Sequence, residues 1–356
     1  MRTTPSPSDT VAMSTSRTEP AAPLWCQSLA SISCIKAAFD IGLWDELRDA
    51  EEQGYSLAQR PLSRVFWQTL EDLGLGRLDA EAFVPDQSAI IALATPENRI
   101  KAEFQALAAA DLLEHGAFFL ARDGEIPEDS RVFQFFNYAD ATSATPKAPH
   151  RVAAWVDYLA YCAVRENDRL ADAVQLPAGA RVLEIGGNVG LFADALLQRH
   201  STAQAVVFDL PGVIAQTPNF PLSDAVRGRL SFEAGDLRYD RLPRVGGEAP
   251  SVVVFKSVLH DWPDATAQGI LAEALDHLAP GGLVLIVERL AESFHALAMT
   301  PANAHNHAFT RFYRTPQWYI DAVAKGQAVA TQLDTVNIDT GFFILGLTKT
   351  PSGEPS

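Results

Sequence analysis

The turn Gly186-Gly187-Asn188-Val189-Gly190 follows a β-rich run, Arg181-Val-Leu-Glu-Ile185, and opens a helical segment from Leu191 to Arg199. Glycines there let the backbone approach a ligand closely at the carboxyl end of a sheet. The spacing is not G-x-G-x-x-G, so the dinucleotide fingerprint fails. Glu184, just ahead of the turn, would oppose a pyrophosphate. It favours a ligand with cationic ammonium and sulfonium groups, and S-adenosylmethionine is such a ligand. Asp209 ends the next β-rich run, where a carboxylate can accept hydrogen bonds from both ribose hydroxyls. Asp236 and Leu237 follow a third run and offer an acceptor for an adenine amine beside an apolar wall. A lone glycine turn is structural about as often as functional. The strand-by-strand order of these features is much harder to reach by accident.

Two units are expected to carry these residues. From about Arg181 the pattern is strand, turn, helix, strand. Ala205–Asp209, Ser251–Phe255 and Leu283–Val287 are near-continuous apolar runs separated by helical segments, which indicates a parallel sheet covered on both faces. Residues 328–338 and 342–347 flank Asp339-Thr340-Gly341 and read as an antiparallel hairpin closing that sheet. Residues 24–165 read as largely helical, with apolar residues at Leu29, Ile32, Ile35, Ala38 and Phe39 and again over Leu62–Leu75. A helix pair followed by the extended piece Glu81–Val84 suggests a winged-helix-like unit. The boundaries are therefore a disordered tail at 1–23, a helical domain at 24–165 and an α/β domain at 166–350.

Composition removes other classes. The 356 residues include 28 Lys and Arg against 44 Asp and Glu, a formal charge of −16. Such acidity repels phosphate backbones and anionic lipid, so neither nucleic acid nor membrane is an expected partner. No run reaches the roughly 18 apolar residues of a membrane span, and the Ser/Thr/Pro-rich start lacks a signal-peptide core. Cys26, Cys34 and Cys162 are odd in number and lack zinc spacing, which suits free thiols in a reducing cytoplasm. His305 and His307, with His260 or His295, could make a metal pair. Residues two apart do not share a helix face, however, and no metal is expected.

Five segments occur in order: Val182–Gly190, Phe208-Asp-Leu-Pro-Gly212, Gly235-Asp-Leu237, Lys256-Ser-Val-Leu-His-Asp-Trp262 and Ala279-Pro-Gly-Gly282. This series resembles the class I S-adenosylmethionine-dependent O-methyltransferases, in the subgroup of plant caffeate and bacterial polyketide enzymes. Leu24–Asp45 resembles that family's N-terminal dimerisation helix. The resemblance implies a doubly wound, Rossmann-like methyltransferase sheet with a C-terminal hairpin, a helical dimerisation domain and a homodimer. It implies that Gly186, Gly187, Asp209, Leu210, Asp236, Leu237 and Lys256, beside Glu184, hold S-adenosylmethionine. It also implies that His260 is the general base acting on a hydroxyl of a small aromatic or secondary metabolite, and that Glu288 orients it. An imidazole of pKa about 6.5 suits a phenol of pKa about 10.

The chain departs from that pattern around the acceptor. Tyr313 stands where a second carboxylate is expected, and Pro301–Phe309 replaces an Asp-rich apolar helix. The Phe and Met usual on the last N-terminal helix are not evident in Pro149–Tyr161. Methylation at carbon or nitrogen, a cofactor-binding relative that does not methylate, and a winged-helix ligand sensor therefore remain alternatives.

Overall fold

The computed structural model describes residues 22–50, 54–116, 126–292, 309–323, 326–338 and 341–351. The tail at 1–21 and the histidines at 295, 305 and 307 lie outside the described residues.

Seven strands form the main sheet in the order β6-β5-β4-β7-β8-β10-β9. They are β4 (Arg181–Ile185), β5 (Gln204–Asp209), β6 (Leu230–Ala234), β7 (Val252–Lys256), β8 (Leu283–Arg289), β9 (Ala328–Val336) and β10 (Phe342–Lys349). The first five run parallel, and β10 is antiparallel to both β8 and β9. β4 and β7 read as continuous apolar runs because each is covered on both faces. Val182, Val252 and Val254 face one core with Leu196 and Phe342; Leu183, Val253 and Phe255 face the other with Leu271 and Tyr319.

The N-terminal unit packs the helices Ala22–Asp40, Leu43–Arg48, Arg64–Asp72 and Gln87–Leu93 around Trp67 and Phe83. Beside them lies an antiparallel sheet, β1 (Tyr55–Ser56), β3 (Ala82–Pro85) and β2 (Gly76–Leu78). Ser63 caps its helix by accepting the Phe66 N–H, and Asp86 does the same for Ala89. The helix Pro149–Ala173 joins the two units without a break. The expected division at 165/166 falls inside it. Its first half carries Val152, Trp155 and Val156 into a cluster with Val189 and Val213, and its second half puts Leu170 and Ala171 into the core of the sheet. Among the described residues, no helix is long and apolar enough to cross a membrane.

Candidate functional site

The carboxyl ends of β4, β7 and β8, the helix Pro149–Ala173 and parts of the N-terminal unit enclose a cavity of about 660 Å³. Of the residues singled out from sequence, Glu184, Gly186, Gly187, Lys256 and His260 line it together. Glu288 backs His260. Asp209, Leu210, Asp236 and Leu237 lie along the same sheet edge, beyond β4, and are not in the lining.

The glycine turn is dictated by its backbone. Gly186 has φ +67°, and a Cβ there would come 2.7 Å from a Val258 methyl; one on Gly187 would come 2.7 Å from the Glu184 carboxyl carbon. That close fit buries Glu184, whose Oε2 accepts the Ala193 N–H at 3.0 Å near the start of the next helix. Burial pushes its pKa up to about 8. The Lys256 ammonium and the Ala193 N–H oppose that rise, and a cationic ligand would further favour the ionised form.

Asp209 accepts the Asn188 N–H on one oxygen and the Leu210 N–H on the other, both at 2.7 Å. Each oxygen keeps a further lone pair. Burial raises its pKa to about 6 against those two bonds. The Asn188 Oδ1 and Ser257 Oγ are buried without hydrogen-bond partners, and both residues line the cavity beside the turn. Unpartnered groups of that kind are costly unless a polar ligand meets them. The donor and acceptor set therefore fits S-adenosylmethionine. Asp236 is more committed: Arg238 donates to it from Nε at 2.9 Å and Nη2 at 2.6 Å, which lowers its pKa.

At the end of β7 the chain turns through Ser257, whose φ of +55° is unusual for a side-chain-bearing residue. The turn brings His260 over β8. Its Nδ1 lies 2.8 Å from Glu288 Oε2, while Glu288 Oε1 accepts the N–H groups of Val258 and Leu259, each at 3.1 Å. Arg314 holds the segment from outside by donating to the carbonyls of Leu259 and Trp262. Tyr313 packs edge-on to the imidazole, ring centres 5.1 Å apart. Burial disfavours a charge on His260, yet the carboxylates of Glu288 and Asp261 outweigh it and hold the pKa above the ordinary imidazole value.

Sequence reasoning missed several lining residues. Asp261 Oδ1 lies 3.3 Å from His260 Nε2, and its other oxygen accepts the Tyr138 O–H at 3.0 Å. Asp261 was readable as part of His-Asp-Trp, but Tyr138 comes from the other unit and carries no local signal. Glu166 was also missed. It receives Lys256 Nζ at 3.2 Å and pairs with Arg289, whose guanidinium carbon lies 4.6 Å from the Phe342 ring centre. Phe104, Phe133, Phe136, Tyr158, Phe309 and Phe312 form an aromatic wall opposite. Among the described residues, no His, Cys, Asp or Glu group is arranged to hold a metal ion.

Comparison with known proteins adds the following. Residues 142–308 match the O-methyltransferase domain family. An O-methyltransferase of Streptomyces lavendulae is 27% identical over 188 residues, covering 53% of each chain. The 3-hydroxy-5-methyl-1-naphthoate 3-O-methyltransferase of Streptomyces sahachiroi is 35% identical over 124 residues, covering 35% of each. The chain thus spans about half of the first relative's length and about a third of the second's. Human N-acetylserotonin methyltransferase, solved with its S-adenosylmethionine, superposes with a TM-score of 0.67 at 15% identity, over 94% of this chain and 99% of that one. This likeness shows a shared fold.

Proposed function

We propose that the protein, of which residues 142–308 match the O-methyltransferase domain family, is an S-adenosylmethionine-dependent methyltransferase acting on a hydroxyl of a small aromatic molecule. The observation that carries this reading is His260, held by Glu288 at 2.8 Å and lining one cavity with the Gly186–Gly187 turn. When bound, S-adenosylmethionine supplies an electrophilic methyl group on a sulfonium. Asp209, Asn188, Ser257 and Lys256 would hold it, with Glu184 beside the turn. His260 would take the acceptor's hydroxyl proton on Nε2. Glu288 keeps the other nitrogen protonated and steadies the imidazolium that results. The aromatic wall supplies apolar contact for a ring and excludes water. Incubation with labelled cofactor and a panel of phenols tests the reading; no labelled product from any of them would count against it.

Asp209 carries a prediction of its own. Removing an acceptor for two ribose hydroxyls, each charged hydrogen bond being worth about 1.5–3 kcal/mol, is expected to weaken S-adenosylhomocysteine binding about tenfold or more in Asp209→Ala. Because its pKa lies near 6, the parent should also bind less tightly at pH 5 than at pH 7.5. Calorimetry at both values reads both effects, and unchanged affinity in the variant would move the cofactor elsewhere.

We further infer a homodimer formed through the N-terminal unit, in which Val65, Ile91 and Leu113 are more than half exposed. These exposed apolar side chains, on the helices Arg64–Asp72, Gln87–Leu93 and Pro96–Glu114, support an interface with a second copy. The helices with the sheet β1-β3-β2 support a winged-helix-like layer used for pairing. Light scattering at micromolar concentration is expected to give twice the chain mass; a single-chain mass would contradict it. Cys34 and Cys162, both free thiols, suit the cytoplasm.

A further inference from the structure

We propose that Tyr138 is a positioning residue for the base: its hydroxyl holds the Asp261 carboxylate against the Nε2 side of His260. This deepens the methyltransferase reading and rests on it for the role of His260.

Tyr138 ends the aromatic run Phe133-Gln-Phe-Phe-Asn-Tyr138. Its ring packs edge-on to Trp155, centres 5.3 Å apart, against an apolar cluster that includes Val152, Val156 and Val189. A phenylalanine would make those same contacts. What tyrosine adds is the hydroxyl, which donates to Asp261 Oδ2 at 3.0 Å across 123 residues of sequence. The other oxygen, Oδ1, lies 3.3 Å from His260 Nε2, while Nδ1 lies 2.8 Å from Glu288. Each imidazole nitrogen thus faces a carboxylate, and the two carboxylates are held differently. Glu288 is buried and also accepts the Val258 and Leu259 N–H groups, so the backbone fixes it. The Asp261 side chain is 32% exposed and lines the cavity. A carboxylate with such freedom samples several rotamers. A fixed donor on one oxygen selects the rotamer that keeps the other on Nε2.

Electrostatics give this contact a direction. Burial and the carboxylates of Asp261 and Asp209 keep the Tyr138 hydroxyl protonated, and so a donor. Charge on His260 is opposed by burial and by Arg289, and is favoured by Glu288 and Asp261, which prevail. Tyr313, edge-on to the imidazole, stays neutral because burial pushes its phenol pKa up. A hydroxyl donated to a carboxylate favours the ionised form. Without it, Asp261 is less steadied as an anion and free to turn away from Nε2. Both effects weaken the imidazolium, so His260 loses its proton at lower pH.

The test uses the full chain with S-adenosylhomocysteine present. NMR follows the His260 imidazole from pH 5 to 9, its signal identified by its loss in His260→Ala. Tyr138→Phe is expected to lower the His260 midpoint by about half a unit, the scale of one modest hydrogen bond. Asp261→Asn should lower it by at least as much, and adding Tyr138→Phe to Asp261→Asn should move it no further. An unmoved midpoint in either single variant, or a further shift in the double variant, would overturn the proposal. S-adenosylhomocysteine affinity should stay within about twofold of the parent in Tyr138→Phe; a larger fall would make Tyr138 a structural or cofactor residue instead. Methyl transfer is measured separately. With an accepted phenol, the acid limb of the Tyr138→Phe profile should move to lower pH, whereas an equal loss at every pH would reduce Tyr138 to a tie between the units. A shifted titration without transfer to any phenol would support the positioning and count against the enzymatic reading alone.

Discussion

Replacing His260 with alanine is expected to lower turnover about 10²–10⁴-fold while S-adenosylhomocysteine affinity stays within about twofold of the parent, since the lost group acts on the acceptor's proton. The pH profile sharpens this expectation. Glu288 accepts a hydrogen bond from Nδ1–H, and Asp261 Oδ1 lies 3.3 Å from Nε2. A bare nitrogen lone pair and a carboxylate oxygen repel at that distance, so a proton rests between them. His260 must lose it before it can act as a base. With its pKa held above the ordinary value, the rate should rise with pH along a limb centred above about 6.5. Asp261→Asn removes one carboxylate that stabilises the imidazolium and should move that limb toward lower pH. Single-turnover rates from pH 5.5 to 9 read both effects. A His260→Ala enzyme as fast as the parent near pH 7 would remove the base assignment, leaving positioning of a nucleophile that needs no base.

Glu166→Gln is expected to cost about 3–5 kcal/mol of folding stability, the usual penalty for stripping one partner from buried ions. Burial alone would raise the Glu166 pKa, but Arg289 and Lys256 lower it below the ordinary 4.5. A depressed carboxyl pKa contributes stability that is present above pH 4.5 and is lost as acid titrates the folded-state group. The stability difference between parent and variant should therefore shrink as pH falls below about 4.5. Urea unfolding at pH 7 and pH 4 measures it. Equal midpoints at pH 7 would mean that water already compensates Lys256 and Arg289 without Glu166.

The parallel strands were legible because apolar runs buried on both faces announce themselves. Val252–Lys256 was expected at Ser251–Phe255, and Leu283–Arg289 at Leu283–Val287. The end of β8 was read short because Glu288 and Arg289 are charged. A strand that ends in a polar site loses its apolar signature at the point where the chemistry begins. His260 and Glu288, 28 residues apart, were paired through a family pattern, and the structure puts them in contact. The Glu166–Arg289 pair spans 123 residues and has no such pattern. On its helix Glu166 follows Cys162 by one turn and resembles any exposed acid until the fold buries it. Asp236 shows the converse. Its place after β6 was legible, whereas its engagement by Arg238, two residues on, depends on a side-chain rotamer that spacing does not encode.

β10 comes last along the described chain yet lies between β8 and β9, pairing Phe343 with Glu288 and Phe342 with Arg289. A growing polypeptide can thus assemble β6, β5, β4, β7 and β8 while β8 still presents an open edge, Leu283-Val-Leu-Ile-Val287, to its surroundings. Unpaired apolar edges of that kind recruit other strands. Until Phe342 and its neighbours emerge, the nascent chain carries this apolar edge beside the charged Glu288 and Arg289, and chaperone demand should rise in that interval of synthesis. Truncation ahead of Phe342 would make the interval permanent, so such fragments belong in inclusion bodies even though most of the sheet is already encoded.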